Sequence, residues 1–272
     1  MRTRNLSLKK VHTAPVVGLV LTGLLVAGCS SADSEGAPAE GAATEGTATQ
    51  GAAQAGAPNA LTAQEQAEGW VLLFDGDDLD QWRGYRRDTP PARWQPQDSV
   101  LAFVPEGDDG GDLMTREQFG DFEFRYDWRI SEGGNSGVIY RATEDSDAPW
   151  HTGPEMQILD DERHPDANAG VNGNRRAGSL YDMIAPTPGV VRPAGQWNEA
   201  RIVANGNHVE HWLNGQKVVE YEIGSERWDS LYQASKFTEY PGFGVQQRGY
   251  IVLQDHGDPV WFRNLKIRPL GS

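Results

Sequence analysis

Cysteine is nearly missing from this chain. The 272 residues contain one, so no internal disulfide is available and the fold must rest on packing, which a domain of roughly 200 residues can supply. Basic charge is short as well. Twenty-four lysines and arginines stand against 39 acidic residues, a net charge of −15, which argues against nucleic acid as a partner because that role wants a basic face. The balance favours a neutral ligand such as a sugar, or simple solubility. Long apolar runs are also lacking. The longest, Ala14 to Ala27, has about 14 residues and is broken by glycine, against the roughly 20 needed for a membrane span.

What is present at the N-terminus reads as an export signal. Arg2, Arg4, Lys9 and Lys10 form a basic segment ahead of that apolar run. The run ends in Leu25-Val26-Ala27-Gly28-Cys29, which resembles a bacterial lipobox. The resemblance implies removal of residues 1–28 and lipidation of Cys29, giving a lipoprotein anchored to the cell envelope, on its periplasmic side or at the cell surface. The membrane then enters only through that anchor. An ordinary signal peptide cut near Ala27, or a buried thiol, are the alternatives. Residues 29–60 continue as an acidic linker of Ala, Gly, Ser, Thr, Gln and Glu without an aromatic residue, too poor in apolar bulk to form a core. As a flexible coil it would reach roughly 30 Å.

Residues 61–272 carry the pattern of a β-domain. Thr62, with Glu65 three residues on, caps a short helix. Phe122, Phe124, Tyr126, Trp128 and Ile130 alternate without a break against Asp121, Glu123, Arg125, Asp127 and Arg129, the signature of a half-buried antiparallel strand. Further strands are expected at Trp70–Phe74, Ser99–Val104, Tyr250–Gln254 and Val260–Ile267. A meander from Ala200 to Ile223 turns at Asn205-Gly206 and Asn214-Gly215. Glu226 to Gln233 is the one further helix candidate. About a dozen short strands with few helices predict an all-β sandwich or jelly roll of two antiparallel sheets.

The segment Gly134 to Asp160 organises the chemistry. In Glu155-Met156-Gln157-Ile158-Leu159-Asp160, Met156 and Ile158 point one way and Glu155 and Gln157 the other, so the strand walls a polar groove. A β-bulge before Asp160 would bring its carboxylate onto the Glu155 side. Six segments then follow one another in order: Gly134-Asn135-Ser136-Gly137, Glu155 to Asp160, Ala177-Gly178-Ser179-Leu180-Tyr181-Asp182, Gly195-Gln196-Trp197-Asn198, Trp212-Leu213-Asn214-Gly215 and Leu253-Gln254-Asp255-His256-Gly257. Together they resemble the 3-keto-disaccharide hydrolase family, a 3-keto-glucoside 1,2-lyase/3-keto-2-hydroxy-glucal hydratase domain, over roughly Gly69 to Leu270. The resemblance implies a concanavalin-like jelly roll acting on small sugars or glycosides already oxidised at carbon 3.

A ketone at carbon 3 acidifies the hydrogen on carbon 2, so cleavage needs a general base, a stabilised enolate and an acid for the departing group, followed by addition of water. Glu155 and His256 are the expected acid–base groups, with Asp160 third; Asp160 could equally cap a turn. A divalent cation held by Glu155, Asp160 or His256 is a candidate cofactor. Arg141, sharing a face with Ile139, and Lys236 are candidates to steady an oxyanion. Trp150 and Tyr181 are candidate sugar platforms, and the amides of Asn135, Gln157 and Gln254 complete the expected binding set. His211 sides with Val209 and Leu213 and is read as packed structure.

Two other functions fit parts of the pattern. Glu155-x-Gln157-x-x-Asp160 has the spacing of the Glu-x-Asp-x-x-Glu strand of retaining jelly-roll glucanases, with the middle acid replaced by an amide and the last shortened by a methylene. Such enzymes need carboxylates about 5–5.5 Å apart. The same groove could also serve a non-catalytic carbohydrate-binding lipoprotein.

Overall fold

The computed structural model describes residues 57–271; residues 1–28, the expected lipidation site Cys29 and the linker up to residue 56 lie outside them. The strands are β1 (Val71–Leu72), β2 (Trp82–Gly84), β3 (Trp94–Gln97), β4 (Val100–Phe103), β5 (Leu113–Thr115), β6 (Phe122–Ile130), β7 (Asn135–Ala142), β8 (Glu155–Leu159), β9 (Asn198–Asn205), β10 (His208–Leu213), β11 (Gln216–Glu222), β12 (Tyr250–Leu253) and β13 (Val260–Pro269), with helices α1 (Ala63–Ala67) and α2 (Glu226–Ala234). They form two antiparallel sheets. One runs β11-β10-β9-β6-β13-β4-β3, with β1 added to the far half of β13; the other runs β2-β5-β12-β7-β8. This is the expected jelly-roll sandwich.

The unbroken alternation of β6 explains the larger sheet. Phe122, Phe124, Tyr126, Trp128 and Ile130 are all buried, each contributing roughly 1.5–3 kcal/mol as an upper estimate. They meet Val138, Tyr140, Met156 and Ile158 from the smaller sheet, and the Tyr126 hydroxyl donates to Met156 Sδ across the gap at 3.3 Å. His211 is fully buried, 2.8 Å from the Tyr140 hydroxyl, with Nδ1 against Gly178 O. Burial holds its pKa down to about 4, so it is a neutral core histidine, as its face suggested.

Several elements depart from the expectations. The Trp70–Phe74 run pairs only at β1, while Leu73 and Phe74 turn into the core. Asn59, placed in the linker by composition, is buried and exchanges backbone-to-side-chain hydrogen bonds with Asn264 at 2.8 and 2.7 Å. The strands β2, β3 and β5 were not legible: two have three residues, and β3 carries Pro96, tolerable because β3 is an edge strand.

Candidate active site

The site lies on the face of the smaller sheet turned away from the sandwich interior. Cross-strand register builds it in rows. Met114, Val252, Ile139 and Glu155 are successive partners across β5, β12, β7 and β8. Two residues along, Gly137 pairs with Gln157, Gln254 N donates to Gly137 O, and Asp112 sits where the chain enters β5. The alternation read in β8 is the one observed. Met156 and Ile158 belong to the core, while Glu155 and Gln157 line a cavity of about 230 Å³. That is below the roughly 300–1,000 Å³ of drug-sized ligand sites and suits a small ligand such as a sugar.

This cavity gathers most of the expected residues: Glu155 and His256, the amides Asn135, Gln157 and Gln254, and Trp150, Tyr181 and Lys236. Two were missed, Asp112 and Asp255. Asp112 precedes a three-residue strand whose place is decided by β12, so only the tertiary pairing reveals it. Asp255 lies inside the Leu253-to-Gly257 motif, and its carboxylate braces the rim by accepting from Gly111 N at 2.7 Å and Gly257 N at 2.9 Å.

Gly137 makes room for Glu155. A Cβ at Gly137 would lie 2.8 Å from the Glu155 carboxyl carbon and closer still to one oxygen. Glu155 is buried, and its carboxyl makes no hydrogen bond to any described residue. Burial raises its pKa well above the ordinary carboxylate range; Lys236 opposes the rise, and Asp112 and Asp166 add to it. Asp112 is pushed up to about 7, chiefly by burial and further by Asp255, despite accepting from Asp255 N at 2.8 Å. The cavity therefore keeps two carboxyls protonatable near neutrality, the condition under which a carboxyl can both give and take a proton.

His256 is held by Asn135, whose Nδ2 lies 3.3 Å from His256 Nε2. The contact orients the ring and leaves Nδ1 without a described partner. Asn135 is itself fixed by donation from its backbone N to Asp258 at 3.0 Å, and its buried Oδ1 has no partner. A buried acceptor left open in a polar cavity is a place for a ligand hydroxyl.

The aromatic wall is built by loops. Tyr181 donates to Asp166 at 2.8 Å, and Arg175 joins Asp166 and Asp182 at 3.0 and 2.7 Å. Asp182 in turn accepts from Lys236 N at 3.0 Å. The Lys236 ammonium stands 4.6 Å from the Trp150 ring centroid and 4.5 Å from that of Tyr181. The long polar segment after Asp160 thus supplies a brace for the site.

Two expected site residues lie elsewhere. Strands β7 and β8 pair in regular register from Asn135–Leu159 to Ile139–Glu155, so the bulge needed to swing Asp160 beside Glu155 does not form. The Asp160 carboxylate instead accepts from Gly133 N and Glu162 N at 2.7 and 3.1 Å and from Arg163. Burial would raise its pKa, but these bonds outweigh burial and leave it lowered. It closes a turn. Asp160 therefore does not line the cavity that holds Glu155 and His256, and the glucanase-like pair of Glu155 and Asp160 is not assembled. Arg141 takes a left-handed φ of 52° beside a register shift in the β12 pairing. Alternation breaks there, and its buried guanidinium ties Gly120 O, Gly206 O and Asp121 together.

Other polar clusters compete poorly. Among the described residues, His208, Glu210 and Glu220 have metal-ligand spacing, but Lys217 already pairs with both glutamates. A second recess, of about 340 Å³, is lined by Asp161, Arg176, Pro186 and Leu213. Its charged groups are already engaged, Asp161 by Ala177 N and Arg176 by Ala167 O and Asn168.

Residues 69–268 match the family model of the 3-keto-alpha-glucoside-1,2-lyase-like domain. A Bacteroides thetaiotaomicron protein named 3-keto-disaccharide hydrolase is 38% identical over 238 residues, 78% of this chain and 82% of that one. Two Parabacteroides distasonis crystal structures, both of proteins named as candidate glycosyl hydrolases, share the fold. One has a TM-score of 0.72 and 34% identity, covering 79% of this chain and 100% of the other. The second has a TM-score of 0.56 and 29% identity, covering 74% and 99%. On the extent of these matches, the chain belongs to the 3-keto-alpha-glucoside-1,2-lyase-like domain family.

Proposed function

We propose that this cavity cleaves the glycosidic bond of 3-keto-glycosides by elimination followed by hydration, a net hydrolysis. The observation that carries the reading is the Glu155 carboxyl: buried, facing the cavity, bonded to no described group, and opposite an oriented imidazole. A carboxyl with a raised pKa is a stronger base when ionised, which suits removal of the hydrogen on carbon 2. His256, whose Nδ1 has no described partner, is the acid for the departing oxygen when its ring is protonated. Asp112, protonatable near neutrality, serves the later addition of water. The name of the Bacteroides relative supports a hydrolase acting on 3-keto sugars. The lipobox-like Leu25–Cys29 stretch supports a location at the cell envelope.

The test is aglycone release from a nitrophenyl 3-keto-glucoside and from its unoxidised parent, run in deuterated water. Release from the ketone alone, with deuterium at carbon 2 of the sugar, is expected. Release from both substrates without deuterium would indicate direct glycoside hydrolysis, and release from neither would leave a sugar-binding domain; either result sinks the proposal.

A further inference from the structure

Lys236 stands apart from the other lysines of the described region. Lys217 pairs with Glu210 and Glu220, and Lys266 pairs with Glu65. Lys236, in a chain of net charge −15, makes neither an ion pair nor a side-chain hydrogen bond to any described residue, yet it lines the cavity. Its backbone is pinned where a short 3₁₀ turn begins: Lys236 N donates to Asp182, and Ser235 Oγ accepts from Phe237 N. Its side chain is then held between the faces of Trp150 and Tyr181. The residue as a whole is solvent-exposed, so the two aromatic faces, and not enclosure, set where its amine points.

We infer that Lys236 forms a protonated Schiff base with the ketone carbon of the substrate, so that the cavity selects ketones covalently and not by shape alone. The inference deepens the reading above and rests on it. Burial lowers the Lys236 pKa, against the pull of Glu155, and this increases the share of neutral, nucleophilic amine. The amine nitrogen bonds to carbon 3, and its proton passes to the former carbonyl oxygen. The resulting hydroxyl takes the Glu155 proton and leaves as water, giving an iminium beside a Glu155 carboxylate. That carboxylate removes the hydrogen from carbon 2, forming an enamine. The enamine expels the group on carbon 1, whose oxygen takes both bonding electrons and a proton from His256. Water then adds to the iminium carbon, restoring the ketone and the free lysine and releasing a proton that returns to His256; a second water, added across carbons 1 and 2, completes the net hydrolysis. Glu155, His256 and the amine are thereby regenerated, and no oxidant enters. One consequence is that Glu155, protonated at rest, becomes the base only after a cation has formed next to it.

The full chain is mixed with a nitrophenyl 3-keto-glucoside, quenched at intervals with sodium borohydride, digested and weighed by mass spectrometry. A reduced sugar adduct on the peptide containing Lys236 is expected, absent from Lys236→Arg, whose turnover falls at least 100-fold although its positive charge remains. Turnover without an adduct, or with Lys236→Arg within tenfold of wild type, overturns the Schiff base and leaves the elimination reading standing. An adduct without turnover does the reverse. Neither adduct nor turnover removes both.

Discussion

At the scale of single residues, Glu155 has opposite effects on stability and on activity. Its folded-state pKa is raised, mainly by burial, so the folded chain holds this proton more tightly than the unfolded one. The resulting stabilisation is complete below the unfolded value, near 4.5, and is lost as pH rises through the folded value. Asp112 behaves alike, between about 4 and its raised value of about 7. Glu155→Gln should therefore melt together with wild type at pH 4 and above it at pH 8, while kcat falls by about 10²- to 10⁴-fold. Calorimetry at the two pH values reads the first part; an unchanged melting difference would mean that the carboxyl is not buried as described. If elimination proceeds without the Schiff base, the acid limb of kcat/KM should lie near neutrality instead of near pH 4.5, because the base must then be ionised in the free enzyme; the Schiff-base route starts from protonated Glu155 and has no such limb from this group.

His256 makes a separate prediction at the same scale. An acid that protonates the departing oxygen matters most when that oxygen is a poor leaving group. His256→Asn should cost about 10²-fold or more on an alkyl 3-keto-glucoside and far less on the nitrophenyl one. Equal losses on both would assign the ring to binding.

At the scale of elements, β7 does two things that strict alternation cannot express. At Gly137 it leaves a hole in the sheet face that the Glu155 carboxyl fills. Gly137 is not among the positive-φ glycines, so alanine fits the backbone and only the carboxyl must move. Gly137→Ala should then lower kcat about tenfold or more, since misplacement by about 1 Å can cost as much as 10², with little change in melting temperature. At Arg141 the strand twists into φ of 52° and sends a cation inward to three acceptors. Arg141→Met should destabilise by about 1–3 kcal/mol, chiefly by unpairing the carbonyls of Gly120 and Gly206, since Asp121 is itself half exposed, and leave kcat per folded molecule unchanged.

These two positions mark how far the sequence could be read. β6 and β8 were legible because five to nine residues alternate cleanly between apolar side chains that enter the core and polar ones on the opposite face. The Asn-Gly turns placed the β9–β10–β11 meander for an equally local reason. Asp112 and the true roles of Arg141 and Asp160 were not legible, because each depends on a partner far along the chain or on one residue's departure from extended backbone. The motif at Leu253 to Gly257 sits between these cases: His256 was visible as a loop histidine after a strand, but its partner Asn135 lies 121 positions away.

At the scale of the whole molecule, the two sheets divide the work. The smaller one carries the cavity, while the outer face of the larger one is covered by tryptophan–guanidinium stacks, with Trp70 against Arg125 and Arg268, Trp261 against Arg129, and Trp212 against Arg201. The segment before Trp70 belongs to that covering. Asn59 makes three hydrogen bonds to Asn264 and Ser99, Thr62 and Glu65 close a capping box, and Glu65 also reaches Lys266. At about 1 kcal/mol for each of Asn59's three bonds, with the cap adding to this, removing the segment should cost about 3–4 kcal/mol. A domain of this size loses roughly 2–4 °C of melting temperature per kcal/mol. A chain starting at residue 57 should therefore melt with the full-length protein, since the linker composition offers nothing to pack, whereas one starting at residue 70 should melt roughly 6–16 °C lower. The cavity is on the other sheet, so both should turn over a 3-keto-glucoside at the same rate below their melting points. A loss of activity without a loss of stability in the shorter chain would show that the N-terminal segment reaches the site and that this division between the sheets is wrong.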